Sequence, residues 1–406
     1  MTNFKGFLKS TRTLILIEIP IKATTFLTTI ILIRLMSSSE YGQYTSLLAV
    51  ATLIISFSGG IQTVLIRNAA TELAFDKQWN HILFSIKFQY GIILFSSIVL
   101  FFVIDNIFIL IGLIFYCIGV SGFTLLSVGH QAINKLKIYA SINMLRNFII
   151  IAIILLLAKY SVLKSDYVFY LYGLASFIFL VIFYSFHHSG NIIQSSSLKI
   201  ARLIKENIYL IIYYAFISIY TQLDVLISAN YLSNEDLAIY GVGLRYYYLS
   251  LLFLPPIVNS VRIYTSKNGF DNNVQKQIEY LKDWFFYSTP LIIFIGIIGL
   301  FASPLILNIL NGSNYYESIA IFRYMLFGSM AMYIFCPIVS LLITNNCYIT
   351  LIAISIFSII FKFLLFWYLL SSDVSLPLLG MGLTLSIIFY NILGAYQFSR
   401  YIKKSY

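Results

Sequence analysis

Charge is what this chain has least of. Asp, Glu, Lys and Arg make up only 10% of its 406 residues, against about 25% in a soluble globular protein. Sixty per cent of the residues are hydrophobic and mean hydropathy is +0.89, which excludes an ordinary soluble domain and leaves a polytopic membrane protein. Cys117, Cys336 and Cys347 stand far apart with no CxxC spacing. That excludes a disulfide framework and a cysteine metal cluster. His81, His130, His187 and His188 include no HExxH or comparable ligand pattern, so no metal site is expected. There is no Walker A loop, no pair of metal-binding carboxylates and no long extramembrane loop to carry chemistry. Neither an enzyme nor a cofactor is expected.

What is abundant is long apolar sequence. The runs are 20 residues or longer rather than ten-residue alternating segments, which favours helices over a barrel. Twelve fit, at 12–36, 44–66, 81–104, 107–128, 138–158, 167–187, 208–232, 237–265, 284–310, 319–343, 349–370 and 378–400. The basic start MTNFKGFLKSTRT resembles a signal-peptide n-region. The apolar stretch after it is too long and lacks a small-residue cleavage pattern before Ser37, so it reads as an uncleaved first helix. Sixteen loop cations, from Lys5 to Lys404, fall on one side of the membrane, and only Lys159 and Lys164 on the other. Positive loops face the cytoplasm, so both termini are expected there. This asymmetry accounts for the net charge of +11 without nucleic acid as a partner. The longest loop, 188–207, separates a six-helix lobe at 1–187 from a second at 208–406.

The lobes look related. IRLMSSSEYGQY (33–44) lies on ANYLSNEDLAIY (229–240) at an offset of 196, with Ser37 on Ser233, Glu40 on Asp236 and Tyr44 on Tyr240. An even number of spans per half gives a parallel repeat about an axis along the membrane normal. Ser58-Gly59-Gly60, Pro255-Pro256 and Pro337 interrupt spans two, eight and ten, and are expected as hinges.

Within LIEIPIKATTFL (16–27) a carboxylate, a proline and an ammonium sit inside an apolar run. Glu18 and Lys22 are spaced i, i+4, the favourable order for a local pair, and Pro20 between them is expected to kink the helix. A central charge costs roughly 2.5–3.5 kcal/mol on insertion scales and faces protein or water. Arg34, Lys87, Arg262 and Arg323 lie near span ends, where their stems can snorkel. Lys22, Arg146, Arg245 and Lys362 are deeper, roughly 10–20 Å from the start of their spans. Polar stripes accompany them: Ser355, Ser358 and Lys362; Thr221, Asp224 and Ser228; Asn143, Arg146 and Asn147. Four deep cations against two acids, Glu18 and Asp224, point to a cavity of net positive charge. An anionic group such as phosphate or pyrophosphate suits it. A structural ion pair between helices is the rival reading for any one of these charges.

The turn SSSEYGQYTSLLAVATLIISFSGGIQTVLIRNAATE (37–72), with LDVLISANYLSNEDLAIYGVGLR (223–245) in the second half, resembles the polysaccharide-biosynthesis flippases. These are the O-antigen and capsule repeat-unit translocases of the multidrug/oligosaccharidyl-lipid/polysaccharide exporter superfamily. Twelve spans set the chain apart from the fourteen-span peptidoglycan-precursor flippases. The resemblance implies an all-α, two-lobed bundle with a central cationic cleft in the cytoplasmic membrane of a bacterium. The cargo it implies is undecaprenyl-diphosphate-linked oligosaccharide, moved from the inner to the outer leaflet. It places Arg34 and Arg67 at basic positions flanking the first motif and Asp224 at an acid of the second. Other implied partners are membrane lipids, a coupling proton or sodium ion, and the polysaccharide-polymerase machinery. The expected substrate-binding residues are therefore Lys22, Arg34, Arg146, Arg245 and Lys362, with Glu18 and Asp224 as coupling-ion sites or counter-charges. A multidrug or small-cation antiporter of the same superfamily is the alternative.

Overall fold

The computed structural model describes the backbone of the chain except residues 1, 58, 61–63, 65–74, 133–134, 161–162, 188–204, 268–273, 373 and 406. Of some further helix ends, among them 2–17 and 262–264, only the backbone is described. Arg67, most of the linker 188–207 and the side chain of Arg262 thus lie outside the described residues.

The described residues form thirteen α-helices and no strand: α1 (Thr2–Leu35), α2 (Ser38–Phe57), α3 (Phe75–Phe101), α4 (Ile107–Ala132), α5 (Leu136–Tyr160), α6 (Ser165–His187), α7 (Ile208–Tyr231), α8 (Asn234–Ser250), α9 (Leu254–Lys267), α10 (Val274–Asn311), α11 (Ser318–Thr344), α12 (Tyr348–Ser371) and α13 (Leu376–Ser405). With α8 and α9 as two parts of one span, they correspond to the twelve expected. Ten segments, from Ile82–Phe101 to Leu376–Lys403, are long and apolar enough to cross a bilayer. The ends of α1 and α7 are 196 residues apart, and so are the starts of α2 and α8. The offset read from the short motif therefore holds for the helix boundaries around it.

That motif is a helix cap. A helix start leaves backbone N–H groups without acceptors, and a serine hydroxyl at the N-cap accepts one of them. Ser37 Oγ accepts from Glu40 N (3.3 Å) and Ser233 Oγ from Asp236 N (3.1 Å). In the second half Ser233 also donates to Asp236 Oδ2 (2.8 Å). In the first half the Glu40 carboxylate accepts from Ser165 N and Gln43 from Ser165 Oγ, both at 2.8 Å. The start of α6 is thereby fastened to α2.

The chain divides into two compact units, Pro20–Gln222 and Met1–Ile19 with Leu223–Tyr406. The divisions fall inside α1 and α7. In the first unit α4 and α6 cross at glycines: a Cβ on Gly119 would stand 2.2 Å from Gly173 O. Lipid gives helices no hydrophobic reason to associate, so backbone approach through small residues supplies the dispersion contact instead. Beside this crossing Phe169 packs tilted against Tyr44 and edge-to-face against Tyr116, with centroids 5.4 and 5.1 Å apart.

In the second unit α11 and α13 cross in the same way. A Cβ on Gly380 would stand 2.5 Å from Ile321 O, and Thr384 Oγ1 donates to Tyr324 O (2.6 Å). Span eight is broken between α8 and α9, as Pro255-Pro256 require. Two backbone groups at the break are met by one side chain: Tyr333 accepts from Phe253 N (3.2 Å) and donates to Ser250 O (2.9 Å). Span ten is not interrupted. Helix α11 runs on through Pro337, and the Trp284 indole donates to Ile334 O (3.1 Å), next to the carbonyl that the proline leaves without its usual donor. Span two yields α2, which ends at Phe57; Ser58 lies outside the described residues.

Candidate functional site

The expected cations separate into three environments. Arg34, in the last turn of α1, and Lys22 have exposed side chains, as do Lys87 and Arg323. For Arg34 this fits the snorkelling geometry and the favourable position of a cation at a helix C-terminus. Lys22 makes no salt bridge among the described residues, so the local pairing expected for it is not made. Glu18 is half-buried and has interactions of its own.

Arg146 and Arg245 are half-buried. Around Arg146 the first unit builds a polar girdle. Asn147, on α5, donates through Nδ2 to Thr24 Oγ1 (3.1 Å) and Thr25 Oγ1 (3.0 Å) of α1. Those hydroxyls in turn donate to Ile21 O, at 2.8 and 3.0 Å. Back-bonding of this kind lets threonine sit in an apolar helix without an orphaned donor. Arg146 donates through Nη2 to Asn147 Oδ1 (3.1 Å) and lies 4.2 Å over the Phe123 ring. Phe123 packs with Ile142 and Phe179, so the guanidinium rests on a fixed apolar wall. Its Nε has no hydrogen-bond partner, and no carboxylate lies within salt-bridge distance among the described residues. Lys22 is three residues before Thr25 on α1 and so shares its helix face.

The third environment is closed. Asp224 and Lys362 are the only Asp, Glu, Lys or Arg side chains among the described residues that are buried. Lys362 Nζ donates to Asp224 Oδ1 at 2.7 Å, with the two side chains 1% and 0% exposed. Tyr240 OH donates to Asp224 Oδ2 at 2.5 Å. Ser355, Ser358 and Ser228 are each 0% exposed. Ser355, Ser358 and Lys362, a polar stripe suited to the wall of a wet cavity, are instead sealed. Lys362 is accordingly not a free cation awaiting an anion. Transferring a lone ammonium into an apolar interior is so costly that it persists there only with a partner, and α7 supplies one. Lys362 and Asp224 thus form a buried ion pair between α12 and α7.

Sequence reasoning passed over Tyr240, Thr24, Thr25 and Phe123 as site residues. Tyr240 was visible as the partner of Tyr44 in the repeat, and Thr24 and Thr25 as part of the opening motif, whereas nothing in the sequence marks Phe123. Two apolar surface grooves, of about 620 and 450 Å³, are lined around Pro290 and Tyr170. They contain none of the expected residues.

No protein-family model matches the chain, and no curated protein matches its sequence. Solved structures do match. The chain is similar to a multidrug resistance MATE family transporter of the MOP superfamily in its inward-facing conformation, with a TM-score of 0.68 at 12% identity over 96% of this chain and 98% of that one. It is similar to the lipid II flippase MurJ in an inward closed conformation, with a TM-score of 0.69 at 12% identity over 96% and 87%. The Vibrio cholerae MATE transporter VcmN in its bent form gives 0.64 at 10% identity over 100% and 99%. At these identities the likeness is one of fold. The class it defines is a multi-pass membrane protein with a fold shared by MATE transporters and a lipid II flippase.

Proposed function

We propose that the protein is a flippase for an undecaprenyl-diphosphate-linked oligosaccharide, of the O-antigen or capsule kind, working by alternating access in the cytoplasmic membrane of a bacterium. The observation that carries this reading is Arg146: a half-buried guanidinium, held by Asn147 and Phe123, with no carboxylate to neutralise it among the described residues. An uncompensated cation at that depth is stabilised by an anionic guest, and a guanidinium fork suits a phosphate. Lys22 and Arg34, in the same unit as Arg146, extend the binding surface, the sugars follow the diphosphate, and the polyprenyl tail stays in lipid. A cytoplasm-negative potential favours outward movement of an anion by about 2.3 kcal/mol per charge per 100 mV. The loop cations support cytoplasmic termini, and the loop at 188–207 with the repeated motif supports six-helix lobes at 1–187 and 208–406. Polysaccharide-polymerase machinery is the natural consumer of the exported unit.

The competing reading is a multidrug or small-cation antiporter, supported by the likeness in fold to multidrug resistance MATE transporters. Charge reversal separates the two. Under the flippase reading Arg146→Glu and Arg245→Glu abolish surface polysaccharide in a strain that depends on this chain. Intact polysaccharide with lost drug resistance in the same strains identifies the antiporter.

A further inference from the structure

Asp224 is the one fully buried acid among the described residues, and the protein fills it with its own cation. The surroundings hold more oxygen than a two-residue ion pair uses. Tyr240 already contacts the carboxylate. Ser228 is one helical turn from Asp224 on α7, and Ser358 one turn from Lys362 on α12. Both hydroxyls are 0% exposed, and neither has a hydrogen-bond partner. Ser355 is equally buried and uses its hydroxyl to donate to Leu351 O (2.9 Å), which leaves its oxygen lone pairs available. Buried hydroxyls are normally satisfied, so two orphans within a turn of the same charges call for an explanation. A carboxylate with several hydroxyl oxygens is the donor set of a hard cation. At the 196-residue offset the first half carries Thr28 where the second carries Asp224. Thr28 is itself buried and back-bonded to Thr24 O (2.9 Å). The arrangement therefore belongs to the second half alone.

We infer that Lys362 is a tethered counter-cation seated in a monovalent-cation site formed by Asp224, Tyr240 and the neighbouring serines. In the native protein this carboxylate takes no free sodium or potassium ion, and shortening the lysine opens it to one. Any coupling of transport to sodium must then run through other residues. The inference stands for a flippase or a drug transporter alike, because its test reads ion binding and not cargo.

The test is thermal unfolding of the full-length chain in detergent micelles, in sodium, potassium and choline chloride at equal ionic strength. Wild type, Asp224→Asn, Lys362→Met and the double variant Asp224→Asn/Lys362→Met are compared. Wild type and the double variant should unfold at the same temperature in all three salts. Lys362→Met should be stabilised by sodium or potassium over choline, rising with the logarithm of salt concentration above its Kd. The inference is overturned if Lys362→Met responds no differently from the double variant. It is equally overturned if Lys362→Met cannot be recovered in any of the salts while the double variant folds, or if sodium stabilises wild type in a way that Asp224→Asn removes.

Discussion

Replacing Asp224 by asparagine removes one charge from a pair whose side chains are 0% and 1% exposed and leaves the Lys362 ammonium buried against a neutral amide. Breaking a buried pair from one side costs about 3–5 kcal/mol. Tyr240 loses an ionised acceptor at the same time; hydrogen bonds to charged groups contribute about 1.5–3 kcal/mol, against about 0.5–1.5 for neutral ones. These contributions share atoms and do not add, so about 3–5 kcal/mol is the working figure for the single variant. Lys362→Met leaves the carboxylate alone and should cost a similar amount in choline chloride. The double variant leaves no unpaired buried charge, and its asparagine can still accept from Tyr240, so it should lie within about 1 kcal/mol of wild type. A double-mutant cycle on unfolding in mixed micelles then gives a coupling energy of about 3 kcal/mol or more, far above the 0.5 kcal/mol or so of independent sites. Single variants costing under about 1 kcal/mol each and adding in the double would refute the view that the two charges depend on each other.

Three further outcomes follow from other parts of the structure. Arg146→Gln should weaken binding of undecaprenyl diphosphate roughly tenfold or more, as loss of a charge-assisted contact of about 1.5–3 kcal/mol implies. Arg146→Lys should fall between, since an ammonium lacks the fork; flipping rates in proteoliposomes measure both. Gly119→Ala places a Cβ 2.2 Å from Gly173 O and should destabilise the chain by about 1–3 kcal/mol. Gly91→Ala, with nothing within 4 Å of the added atom, should be neutral or slightly stabilising. Tyr333→Phe strips Ser250 O and Phe253 N of their partner, at a cost of about 1–3 kcal/mol. Hydrogen exchange should show faster opening at the junction of α8 and α9.

Hydropathy located the spans well because the bilayer sets one length for all of them. The apolar stretch 208–232 became α7 at Ile208–Tyr231, and 349–370 became α12 at Tyr348–Ser371. It missed helix ends outside the apolar band. Helix α3 begins at Phe75 rather than 81, and α10 at Val274 rather than 284, because polar turns such as VQKQIEYLKD are helical without being hydrophobic. Helical spacing correctly placed Ser355, Ser358 and Lys362 on one face, and Asp224 with Ser228 on another. It gave no means of seeing that these faces close on each other across 138 residues of chain. Contact between the Asn147 amide and Thr24 and Thr25 was hidden for the same reason. The scarcity of acids was the available signal. With so few in the spans, each was a candidate to pair with one of the deep cations, and Asp224 took Lys362.

The proposed role of the uncompensated Arg146 is open to one direct measurement: binding of undecaprenyl diphosphate and of undecaprenol to the purified chain in micelles, for wild type and Arg146→Gln. Preference for the diphosphate in wild type, lost in the variant while undecaprenol binding is unchanged, is the expected result. Equal affinity of wild type for the two lipids, or a preference that survives the substitution, would contradict it.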